Sequence, residues 1–362
     1  MTADLLFVHS ARLEIPLAQA FDFGHRNGTG TQTWTANGPE GLHAYNFGAA
    51  GSSRNIGTVD LELRGAMGNE VVVGMWYRAV SHNRFRPFMG VVPRRGDEGV
   101  IEQISDVEKY VGISFDMDQD GRLVLLEGSS GTSTGDIITE QTNAFLPDEG
   151  EWHFWEVRFT RDPGVDVTVD IRIDDGDWTY SLSAGSDILG DQIKLAGLLY
   201  TGGFSSSYEA RIHGLYVHPD TMLGPLLVQS ILPATQGNYD DFSTASLDTK
   251  AEVLSSDPIG TETVDGGAGD RDTYNMGSFT KVSNSGTIMA VCPTWIAQSA
   301  GTELAPAFRR SGADQDAPVG KVMRSVAHHP AQTVVPIDPY TSAPWEESDI
   351  NDTEFGMLGV AP

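Results

Sequence analysis

The stretch FDMDQDGRLVLLE, Phe115 to Glu127, carries acidic side chains at a spacing used to hold calcium: Asp116-x-Asp118-x-Asp120-Gly121, with Glu127 closing the pattern after five further residues. In such a loop the carboxylate oxygens surround the ion at about 2.3–2.6 Å, and helices on both sides bring the last ligand back to the first. Here the flanks are YVGIS and RLVLL, which are strand-like. A hairpin turning over Asp118 to Gly121 pairs Asp118 with Arg122, Met117 with Leu123 and Phe115 with Leu125. Extended strand then carries Glu127 roughly 16 Å from the turn. Strand alternation also sends it to the face opposite Asp116 and Asp118. The pattern therefore reads as a hairpin, with an ion site on Asp116, Asp118 and Asp120 alone as the alternative left open. The stretch VDIRIDDGDWTYSL repeats the arrangement, because Asp and Gly both suit tight turns.

Other chemistries leave less trace. The chain has no Gly-rich phosphate loop and no H-E-x-x-H pair. A glycan-cleaving sandwich would show an E-x-D-x-x-E strand with acid and nucleophile on one face. The nearest string, Glu347-x-Asp349-x-x-Asp352, lies near the end of the chain and reads as a turn or helix start. His328 and His329 would face opposite ways in a strand, and His9, His25, His43, His82, His153, His213 and His218 show no ligand spacing. The single Cys292 excludes an intrachain disulfide framework and reads as a buried structural thiol. The expectation is a non-enzymatic protein with no catalytic residue, no metal site and no cofactor. One stretch, SHNRFRPFMGVVPRRGDEG, gathers Arg84, Phe85, Arg86, Phe88, Arg94 and Arg95 in an otherwise acidic chain. It is a candidate interaction loop for an acidic subunit or acidic glycan, against a plainer reading in which the arginines pair with local carboxylates.

The elements that position these residues are strands. In VDVTVDIRID, Val165, Val167, Val169, Ile171 and Ile173 alternate with polar residues, as in a sheet with one wet face. HFWEVRF sets Trp155, Val157 and Phe159 on one side, and VVVGMWYRAV is apolar enough for burial on both. With 41 glycines and turn-rich intervals throughout, the reading is all-β: a two-sheet antiparallel sandwich over 1–222, its first fifty residues a candidate docking arm, followed by a smaller β-rich domain over 223–362. The net charge of −27, from 50 acidic and 23 basic residues, disfavours a nucleic-acid partner. No apolar run is long enough to span a membrane, and the N-terminus lacks the basic start of a secretory signal.

VVVGMWYRAV, VGISFDMDQDGRLVLLEG, HFWEVRFTRDPGVDVTVDIRIDDGDW and EARIHGLYVHPD together resemble the concanavalin A-like, laminin-G-like jelly roll of virion proteins from tailed bacteriophages. The C-terminal part adds to the resemblance through Pro339, Thr341, Pro344, Trp345, Asn351, Glu354, Phe355 and Gly356, with Phe242 standing where a Trp is more usual. The resemblance implies a virion structural protein, made in the host cytoplasm, of the tail tip, baseplate or fibre. Alternatives are a capsid decoration (cement or head-fibre) protein, or a lectin module for host-surface polysaccharide. It implies other virion proteins as partners and a homo-oligomer, a trimer being favoured, and it carries over no catalytic residue.

Overall fold

The computed structural model describes residues 7–9, 23–27, 32–35, 37–47, 54–61, 68–79, 89–94, 110–116, 122–128, 136–141, 150–162, 166–184, 192–201, 210–246, 248–255, 263–282, 286–297, 302–316 and 329–361. The chain divides into two compact units, with the division in sequence between Gln229 and Ser230. Residues 223–229, beyond the boundary expected from composition, belong with the first.

The first unit contains β1 (Phe7–His9), β2 (Phe23–Asn27), β3 (Gln32–Thr35), β4 (Ala44–Phe47), β5 (Arg54–Asp60), β6 (Glu70–Ala79), β7 (Met89–Arg94), β8 (Tyr110–Asp116), β9 (Arg122–Gly128), β10 (Asp136–Gln141), β11 (His153–Asp162), β12 (Asp166–Ile173), β13 (Trp178–Ala184), β14 (Gln192–Thr201) and β15 (Ala210–His218). They form two antiparallel sheets: β13-β12-β11-β6-β15-β4-β3, with β1 also on β15, and β10-β9-β8-β7-β14-β5-β2. This is the all-β antiparallel sandwich that the alternation predicts.

One face of each sheet is buried. Val71, Val73, Met75 and Tyr77 of β6 lie in register with Phe159, Val157, Trp155 and His153 of β11. Val167, Val169, Ile171 and Ile173 continue that face on β12. Val91, Val111, Ile113, Leu123, Leu125 and Ala196 bury the facing sheet. Among the described early strands, β1 pairs with β15, β2 with β5 and β3 with β4.

The opening hairpin is present with a different register. Asp116 pairs with Arg122, Phe115 with Leu123 and Ile113 with Leu125. The shift of two leaves every face unchanged, and it sets the fully buried Ile113 and Leu125 opposite each other. Residues 117–121, Asp118 and Asp120 among them, lie outside the described residues. Glu127 pairs with Val111, at the other end of the strands from Asp116.

The second unit adds β16 (Pro233–Asp240), β17 (Ser243–Thr244), α1 (Lys250–Ser255), β18 (Val264–Asp265), β19 (Arg271–Met276), β20 (Thr294–Ala297), β21 (Glu303–Arg310), β22 (Ala313–Asp316), β23 (His329–Gln332), α2 (Glu347–Asn351) and β24 (Glu354–Val360). Its main sheet runs β16-β19-β24-β21-β22. One core gathers Phe308, Trp345, Ile350 and Phe355, and another Phe242, Ala251, Tyr274 and Met357. No described helix is long and apolar enough to cross a membrane.

Candidate functional site

The polar face of the sandwich sheet carries a buried acidic group. Glu156 sits mid-strand on β11, fully buried, opposite Arg172 of β12 on one side and Gly74 of β6 on the other. Gly74 in turn opposes Tyr216 of β15. A Cβ on Gly74 would lie 2.0 Å from the Tyr216 ring, so only glycine lets that ring cross β6 and reach Glu156. The Tyr216 hydroxyl donates to Glu156 Oε1, which also accepts from Gly224 N–H at 2.8 Å. Arg172 Nε donates to Glu156 Oε2 at 2.6 Å, and its Nη2 meets the same oxygen. Both carboxylate oxygens are thus committed. Burial, reinforced by the charge of Glu156 and the hydrogen bond to it, drives the Tyr216 phenol far above its ordinary range, so it stays protonated.

A bulge makes this face possible. Between His213 and Tyr216 the register with β6 shifts by one, and Gly214 takes a φ of 61°. The shift turns His213 and Tyr216, three residues apart, to the same side, and His218 follows.

Residues 219–229 lie across this side as an irregular strap, held through their main chain. Asp220 and Thr221 N–H donate to His218 Nδ1 at 3.2 and 2.9 Å, Leu223 N–H to Tyr216 Oη at 3.1 Å, and Val228 N–H to His213 Nε2 at 3.2 Å. In the other direction, Trp76 Nε1 donates to Leu226 O at 2.8 Å and Arg158 Nη2 to Asp220 O at 3.1 Å. Beside the strap the face continues as rows of polar residues: Glu70, Thr160, Thr168 and Ser183 in one, Arg158, Asp170 and Ser181 in the next, then Arg172 and Thr179. All are half-buried or exposed except Glu156. Trp178, 37 % exposed, begins the edge strand beside them. Hydroxyl, carboxylate and guanidinium groups in flat rows are suited to hydrogen-bonding a polyhydroxylated ligand.

The second unit is built around Arg310 at the end of β21. Its guanidinium makes two parallel bonds to Asp338, each 3.0 Å, a third to Asp349 Oδ1 at 3.0 Å and a fourth from Nε to Thr353 Oγ1 at 2.8 Å. It lies 4.7 Å from the Tyr340 ring centre and 5.8 Å from that of Trp345. Asp338 is fully buried and also accepts from Thr341 Oγ1 at 2.7 Å and Tyr340 N–H at 3.1 Å. Burial alone would raise its pKa; these donors and the arginine charge outweigh that and hold it below the usual carboxylate value.

Other residues of the C-terminal motif have structural tasks too. Trp345 donates to Val335 O at 2.9 Å, Asn351 brackets Phe279 N and O, and Glu354 accepts from Asn238 and Thr273. A Cβ on Gly356 would fall 1.8 Å from Asp272 O. Glu347–Asn351 is the short helix that the acidic string suggested, with Glu346 and Asp349 forming a capping box. Phe242 is buried in a core where Gly266 leaves room for its ring.

Of the candidate interaction loop, Arg94 ends β7 with its backbone opposite Gln192; Arg84, Phe85, Arg86, Phe88 and Arg95 lie outside the described residues. Cys292 is half-buried, and burial pushes its thiol up to about 12. Among the described residues no group of three or more His, Cys, Asp or Glu is placed to hold a metal ion. Sequence reasoning missed the convergence of His213, Tyr216 and His218. Strict alternation sets 213 and 218 on opposite faces, and a glycine inside the strand was the available sign of a bulge.

No family model matches the sequence, and no curated protein matches it. Among solved structures the chain is similar to an endo-β-1,4-glucuronan lyase from the fungus Trichoderma reesei (15% identity, 60% of this chain and 96% of that one, TM-score 0.41). It is similar also to a carbohydrate esterase from the Shiga toxin-encoding bacteriophage phi24B (14%, 60% and 99%, 0.34) and to arcelin-5, a lectin-like defense protein from Phaseolus vulgaris (9%, 58% and 96%, 0.35). These likenesses concern the fold and assign no residue a role. They correct one expectation: polysaccharide lyases and an esterase stand among the neighbours of this sandwich, so the non-enzymatic reading does not stand.

Proposed function

We propose that the protein is a carbohydrate-binding component of a tailed-bacteriophage particle. The sandwich is its binding module, its rows of hydroxyls, carboxylates and guanidiniums on β6, β11, β12 and β13 contacting host-surface polysaccharide. The C-terminal unit is its assembly module, in a homo-oligomer of three copies attached to other virion proteins.

The observation that carries this reading is the Arg310 clasp. Six of the C-terminal residues that carry the resemblance to virion proteins, Thr341, Trp345, Asn351, Glu354, Phe355 and Gly356, are engaged in one packed unit with Asp338 and Arg310 and serve its architecture. That supports their being the signature of a folded assembly module.

Two experiments test the halves separately. Antibody raised against the purified protein is expected to label intact particles encoded with this chain; unlabelled particles would reject the virion assignment. Affinity electrophoresis in host-surface polysaccharide is expected to retard the protein, with reducing ends assayed alongside. Unaltered mobility of a particle-borne chain would reject the carbohydrate half alone.

A further inference from the structure

Two of the acceptors that hold the strap are imidazole nitrogens. His213 Nδ1 lies 2.7 Å from His43 O, a group that only accepts, so Nδ1 carries the proton and Nε2 offers its lone pair to Val228 N–H. His218 Nδ1 takes two main-chain donors, Asp220 and Thr221, so its proton resides on Nε2. Both rings are neutral in this arrangement, with opposite tautomers, and a protonated nitrogen has no lone pair left to accept with.

We propose that residues 219–229 form an acid-released latch: protonation of His213 and His218 removes the acceptors at both ends of the strap and frees its main chain from the sheet. The proposal goes beyond the carbohydrate-binding reading and does not rest on it.

The two ends differ in their surroundings. At the first end, Asp220 Oδ1 stands 3.3 Å from His218 Nδ1, ready to take the new N–H in place of the two amides. Arg158, paired with Glu70 at 3.0 Å, lies two strands across from His218, beyond Val72. At the other end His213 faces Trp76 and the His43 segment, with Arg78 and Arg211 in the next cross-strand row. Burial holds the His213 imidazole down to about 4, against the hydrogen bond to His43 O, which favours its charged form.

Hydrogen exchange on the full chain between pH 7 and pH 4, corrected for the intrinsic pH dependence of exchange, tests the latch. Amides of Asp220, Thr221 and Val228 are expected to lose protection about tenfold or more as pH falls, while β11 and β12 keep theirs. In the His213→Gln/His218→Asn double variant, whose amide oxygens accept without titrating, the strap is expected to stay protected. The single His213→Gln variant should hold Val228 and still release Asp220 and Thr221, which keeps the test decisive if the double variant does not fold. Wild-type protection unchanged to pH 4, or equal loss in a folded variant, would overturn the proposal.

Discussion

Two buried carboxylates organise the two units, and their surroundings differ in kind. Glu156 lies in a face that recognises a main chain: five N–H groups of an irregular strap end on imidazole, phenol and carboxylate acceptors. Asp338 lies in a clasp of side chains, with Arg310, Thr341 and Tyr340 each chosen by type. Main-chain recognition tolerates many strap sequences but depends on the protonation of its acceptors. Side-chain recognition depends on sequence and, because Asp338 is held below its usual value, withstands mild acid.

The sharpest way to break this contrast is at Arg310. Arg310→Ala strands the buried Asp338 and is expected to destabilise the C-terminal unit by about 3–5 kcal/mol in denaturant titration. Arg310→Lys should recover little, since a point charge cannot make the paired bonds. A comparable loss in the sandwich should come from acid. The folded pKa of His213 is depressed, so the unfolded chain binds the extra proton. Its stabilisation is complete above about pH 6.5 and lost as pH falls toward 4, up to about 3 kcal/mol. Urea melts across that window should show the sandwich weakening with slope of that sign, and a flat profile would contradict it. Smaller again is Gly74→Ala, whose methyl meets the Tyr216 ring; overpacking of this kind costs about 1–3 kcal/mol. It should displace the ring from Glu156 and shift the Tyr216 ultraviolet signal. Least affected should be Leu227→Ser in the strap, expected within about 0.5 kcal/mol because that side chain is exposed and the strap is held by its backbone. A large loss there would mean that strap side chains matter after all.

The same contrast explains what the sequence revealed. Alternation in VDVTVDIRID and HFWEVRF exposed the sandwich because burial acts on side chains with period two. The C-terminal motif was legible as a pattern because Thr341, Trp345, Glu354 and Gly356 each fill a position that few other residues can. The strap left almost no signature: its bonds come from N–H groups that every residue but proline has. Glu156 looked like an outward polar residue of β11, and its burial arises from a segment sixty residues and more away. The hairpin register was missed because a shift of two preserves both faces, leaving the hydrophobic pattern unable to choose.

The central claim is that neutral imidazoles of opposite tautomer accept the strap. Nitrogen-15 spectra of the histidine-labelled protein at pH 7 measure this directly, since protonated and lone-pair ring nitrogens differ widely in shift. The expected result is a proton on Nδ1 of His213 and on Nε2 of His218; charged rings, or the same tautomer at both, would contradict the account.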